Sequence, residues 1–129
     1  MTNRILTDEG WQERVREVIG VDQAYLPDQV LEKADVVDIA EANIVELVPG
    51  YETISDDKKV YLESAVVYEC AIQVCDSMPA RIPLKESGPH VSFELDIDWE
   101  KRKADFAEKR DIHISKLVKT PVATYFAIS

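Results

Sequence analysis

The stretch from Asp56 to Ser77 constrains the fold more than any other part of the chain. Read as a helix, it carries Val60, Leu62, Ala65, Val66, Cys70, Ala71, Val74 and Cys75 around nearly its whole circumference. The clearest polar strip is narrow: Glu69, Gln73 and Asp76. A helix apolar on almost every side has to be covered on several sides at once. Ser55 is its expected N-cap. A run of about 22 residues spans roughly 33 Å at 1.5 Å per residue. With 129 residues, 46% of them hydrophobic, the chain has one domain's worth of material to cover it. Tyr61 and Tyr68 stand one heptad apart and read as core packing rather than as a ligand box.

Four isolated glycines and six prolines mark out the other segments. A first amphipathic helix is expected from Thr7 to about Ile19. Thr7 is its N-cap, Trp11, Val15 and Val18 form a stripe, and Gly20 is the stop. Gly10 in its first turn allows a shorter helix. A second helix is expected from Pro27, which suits a first helical position, to Val48, before Pro49-Gly50. Val30, Ala34, Val37, Ala40 and Ile44 share one broad arc, while Val36 and Ile39 lie almost opposite. Those two are either a second packing surface for a neighbouring subunit or scattered surface residues. Glu41 projects into the apolar arc, so it is either paired or snorkels at the arc's edge.

After an irregular stretch from Pro79 to Pro89, Val91, Phe93, Leu95 and Ile97 alternate with polar residues. That is the period of a half-buried strand, which needs a partner strand. The partner is either a short segment near Arg81 to Lys85 or another subunit. A fourth helix follows, capped by Asp98 and running to about Val118. It has a narrow Trp99, Phe106, Ile114 and Leu117 stripe and an Asp105–Lys109 ion pair. Residues 119–129 form an apolar tail that either folds back or binds something else. The expected fold is therefore mainly α: a small four-helix domain over residues 1–118, with a loop and short strand between helices three and four, and an extended C-terminal tail.

Twenty-five acids oppose fifteen bases, a net charge of −10. Residues 1–57 hold fourteen acids and four bases, while residues 58–129 hold eleven of each. Such a balance argues against gripping DNA, RNA or an anionic membrane through phosphates. No run is long enough to span a bilayer, and acids at Asp8 and Glu9 arrive before any apolar stretch, unlike a signal peptide. A reducing cytoplasm is the expected setting. Cys70 and Cys75, about 140° apart on a helix, read as buried free thiols. No phosphate loop or nucleophile elbow occurs. His90 and His113 do not belong to a ligand set, and His113 reads as a helix-edge residue beside Phe106. The expectation is a protein without catalytic residues, cofactor or metal, suited to assembly. Its alternative is an acidic helical module that binds a basic protein, as an inhibitor or chaperone does.

The order of features resembles the head–tail connector proteins, also called head-completion or adaptor proteins, of long-tailed double-stranded DNA phages and prophages. The resemblance rests on Leu26-Pro27-Asp28 opening a helix, Ala40-Glu41-Ala42 within it and Val48-Pro49 closing it. It continues through Ala65, Tyr68 and Ala71 in the long helix, a proline-containing loop, and Asp98-Trp99-Glu100 opening a charged last helix. It covers roughly residues 25 to 118 and is one of order rather than of a catalytic signature. It implies a helical virion protein at the portal vertex, a twelve-fold ring beneath the portal protein. The ring would extend the DNA channel and dock the next adaptor, stopper or tail-completion protein. Val122, Tyr125, Phe126 and Ile128 would dock the portal. Val36, Ile39, Val91, Phe93 and Leu95 would contact neighbouring subunits. Asp35, Asp38 and Glu46 would rim a channel through which DNA slides without being held.

Overall fold

The computed structural model describes residues 3–81 and 97–118. It is mainly helical, with no strand among the described residues. Six helices occur there: α1 Trp11–Ile19, α2 Asp28–Leu31, α3 Ile39–Leu47, α4 Lys59–Cys75, α5 Met78–Arg81 and α6 Trp99–Ser115. A π-helical turn, Ala34–Asp38, leads directly into α3. Four of the six run for more than two turns, and they form the expected four-helix domain. The segments expected to carry Val91, Phe93 and Leu95, and the tail residues Val122, Tyr125, Phe126 and Ile128, lie outside the described residues.

Helix α4 is the axis of the fold. Its longest interface is with α6, and α1, α3 and the π turn cover other sides. Leu62, Ala65, Val66, Val67, Cys70, Ala71, Val74 and Cys75 are all buried on it. Glu69, expected on the polar strip, is instead 3% exposed. Cys70 and Cys75 are free and buried. At the start of α6, the Asp98 carboxylate accepts from the Lys101 N–H at 3.0 Å, the N-cap contact that its sequence position implies. Along this helix, Lys101 pairs with Asp105 at 3.4 Å, in place of the expected Asp105–Lys109 pair.

Two expected helices are shorter than their sequence patterns suggest. Helix α1 begins at Trp11 rather than at Thr7, because Gly10 sits at φ +88°, a left-handed conformation that cannot continue a helix. The segment expected as one helix from Pro27 to Val48 breaks after Leu31, where Lys33 is extended. The reason lies in its two apolar sides. A continuous α-helix would set Leu31 opposite Ala40, about 180° around the axis at 100° per residue, although both are fully buried. The break and the wider π turn bring Leu31, Val36, Val37, Ala40 and Ile44 all into the core. Val36, expected at a subunit contact, thus belongs to the chain's own interior, whereas Ile39 is 41% exposed.

Candidate functional site

The N-terminal segment supplies the most unusual geometry. Residues 3–10 are not helical and lie across the start of α3. There the Glu41 carboxylate accepts three consecutive backbone N–H groups, from Arg4 at 2.8 Å, Ile5 at 2.7 Å and Leu6 at 2.8 Å. Glu41 is 2% exposed, and Ile5 and Leu6 are buried beside it. The carboxylate does for this bent strap what a capping acid does for a helix start. Paired rather than snorkelling, Glu41 resolves the choice left open by its place in the apolar arc.

Beside this segment lies a groove of about 520 Å³, lined by Asp8, Glu9, Trp11, Glu32 and Asp38 among others. The charge asymmetry of the sequence here becomes a place: four acids from two separate segments face one cleft. Of the three acids expected at a channel rim, Asp38 reaches this groove. Asp35, on the π turn, and Glu46, in the last turn of α3, are exposed to solvent. Sequence pattern marked Asp8 and Glu9 only as acids at the start of the chain, and it did not single out Glu32. The excess of acids before residue 58 is the one signal that points to them.

A second buried acid ties three helices together. Glu69 on α4 accepts from Arg110 of α6 at 2.7 Å, Asn43 of α3 at 2.9 Å and Gln73 at 3.1 Å. Burial would lower the Arg110 pKa, but its bonds to Glu69 and Asp111 outweigh that and raise it. Arg16 is buried in the same manner: desolvation opposes its charge, and Asp28 and Glu13 restore it, at 2.8 and 2.9 Å. Burial pushes the Cys70 thiol well above its ordinary range, with Glu41 and Glu69 adding to the effect. Burial likewise drives Cys75 up to about 11. Both thiols are therefore protonated at neutral pH. Among the described residues, no group of three or more His, Cys, Asp or Glu side chains could hold a metal ion. None of the described helices is long and apolar enough to cross a membrane.

His113 stacks on Tyr68, with ring centroids 5.7 Å apart and planes 17° from parallel, and Tyr61 lies 6.1 Å away. Phe106, its expected neighbour, packs against Tyr68 instead, at 6.1 Å. The buried Nδ1 of His113 has no hydrogen-bond partner among the described residues. Desolvation first, then Lys109 and Lys116, lower its pKa below the usual 6.5. A base held below its unfolded value binds protons more readily when unfolded, so stability falls as pH drops through 6.5. His113→Phe keeps the ring stacking and removes the proton site. Its melting temperature should fall less between about pH 7 and pH 5 than that of the wild type. Equal slopes would show that His113 does not govern the acid limb.

A scan against family models, a search of curated proteins and a search of solved structures each return no match for this chain.

Proposed function

We propose that the chain is a non-catalytic assembly protein of the head–tail connector type, a ring subunit that docks on a portal protein at the virion's portal vertex. The observation that carries this reading is the order of sequence features over residues 25 to 118, although Leu26-Pro27-Asp28 and Ala40-Glu41-Ala42 belong to two helices rather than to one. The use of the buried acids agrees with it. Glu41 and Glu69 spend their oxygens on internal donors, which fixes the scaffold rather than preparing an acid or base for chemistry. Exposed Asp35 and Glu46 suit a surface that DNA passes without sticking. The next adaptor, stopper or tail-completion protein would dock on the ring's far face, and the host cytoplasm is where assembly would begin. In this reading the tail beyond Val118 is a docking arm.

Truncation after Val118 tests it by co-purification with the portal protein of the same genome. The full chain should be retained by the portal, and the truncated chain should be lost from it while keeping its circular dichroism and melting temperature. A truncated chain that unfolds would make the tail part of the core, and one that still binds would remove its docking role. A second reading, an acidic module that binds a basic protein, is favoured by the four acids of the groove. It predicts a stable one-to-one complex with a basic partner and no ring.

A further inference from the structure

Two exposed stripes on different helices carry opposite charge. On α3, Ile39 is 41% and Leu47 45% exposed, and their spacing puts both on one side of the helix. Glu46, in the same stripe, and Asp35, on the π turn that leads into it, are exposed beside them. From Ile39 to Leu47 the stripe is about 12 Å long at 1.5 Å per residue. On α6, Ile112 is 52% exposed. Lys109 stands three residues before it and Lys116 four after it, so both flank it on the helix surface, about 10 Å apart along the axis. Glu108 lies on the other side of Ile112 from the two lysines. Asp35, Glu46, Lys109 and Lys116 have no ion-pair partner among the described residues. The stripes cannot meet within one chain. Both helices pack on α4, where Glu69 accepts from Asn43 of α3 and Arg110 of α6. Ile112 stands about 160° around α6 from Arg110, so it faces away from α3.

We propose that the α3 stripe docks on the α6 stripe of a second copy of this chain, with Asp35 and Glu46 against Lys109 and Lys116 and the aliphatic side chains between them. A second copy is the occupant because this chain itself carries the complement: an exposed aliphatic side chain flanked by two unpaired cations, over a matching length. Each copy shows the two halves on different sides, so the contact is heterologous and closes into a ring where the rotation permits. The net charge of −10 repels copies at a distance. Salt screens charges beyond about 8 Å at physiological ionic strength, and touching stripes lie well inside that range. Charges at the rim of a contact stay partly open to solvent, so the same acids can border the seam and face a channel. The inference rests on the assembly reading above and supplies it with a defined subunit contact.

The test uses the full chain and a carbodiimide, which joins a carboxylate to an amine in contact with it. In a concentrated mixture of light- and heavy-nitrogen chains, mixed-isotope peptides should join Asp35 or Glu46 to Lys109 or Lys116. Reversing one stripe, by Asp35→Lys with Glu46→Lys or by Lys109→Glu with Lys116→Glu, should abolish these cross-links in either variant alone, since both of its stripes then carry one sign. Mixing the two variants should restore them, because every α3 stripe then meets an α6 stripe of opposite charge. Sedimentation velocity should give the same pattern without cross-linker: association in the wild type and in the mixture, and its loss in each variant alone. All four positions are exposed, so circular dichroism of each variant should match the wild type. No cross-link between the stripes of different wild-type copies, or reversed variants that still associate alone, would overturn the proposal. The connector reading fails separately. Portal-bound rings cross-linked only at other residues would remove this contact and leave the connector, whereas stripe-to-stripe cross-links with no portal-bound rings would remove the connector and leave the contact.

Discussion

Replacing Glu41 with alanine should lower the stability of the folded chain by about 3–5 kcal/mol, the middle of the range for leaving two buried backbone donors without an acceptor. Three backbone donors lose their acceptor at once, and those of Ile5 and Leu6 are buried. Each buried donor left unmade costs about 1–3 kcal/mol. The three costs are not independent, because the strap can peel away and let water reach its amides. The loss is then capped at what the strap itself contributes. Urea unfolding would show it as a midpoint lowered by at least about 1 M, for a slope of order 1–3 kcal/mol/M. Glu41→Gln should lose less, since one oxygen still accepts while its NH₂ faces the remaining donors. A Glu41→Ala chain within about 0.5 kcal/mol of the wild type, the range of an ordinary surface change, would mean that the carboxylate does not hold the strap.

Arg110→Ala should be the next largest loss, about 2–4 kcal/mol. The side chain of Glu69 is 4% exposed and that of Arg110 is 21% exposed, so the pair is shielded on one side and partly open on the other. Without the guanidinium, Glu69 keeps Asn43 and Gln73 as donors but faces no cation at 2.7 Å. The penalty is that of a stranded charge, so Glu69→Gln in the Arg110→Ala background should recover part of it. A double-mutant cycle measures this directly: the two single losses should exceed the loss of the double variant. Strict additivity would show that the two groups do not interact across the α4–α6 interface.

Where the sequence speaks locally, it was legible. The all-round apolar pattern of residues 60–75 marked α4 as the central helix, and burial of both cysteines followed from it. Asp98 and Gly20 marked helix ends through capping chemistry that depends on a few neighbouring residues. What was not legible depended on partners distant in the chain. Glu41 meets its donors more than thirty residues upstream, and Glu69 meets Arg110 forty-one residues downstream. Periodicity alone placed one in an apolar arc and the other on a polar strip. The break at Lys33 was hidden for a related reason. Leu31 and Ala40 would fall on opposite sides of one continuous helix, and the chain buries both by breaking at Lys33 and changing its helical pitch rather than by finding a second partner. The acidic groove shows the same divide, since the composition announced the charge but only folding gathered Asp8, Glu9, Glu32 and Asp38.

Negative-stain imaging of the full chain mixed with the portal protein of the same genome decides whether this protein assembles on a portal. The connector reading predicts rings of this chain stacked coaxially on portal rings and sharing their symmetry. Bare portal rings beside unassembled chains, at concentrations where both are folded, would contradict it.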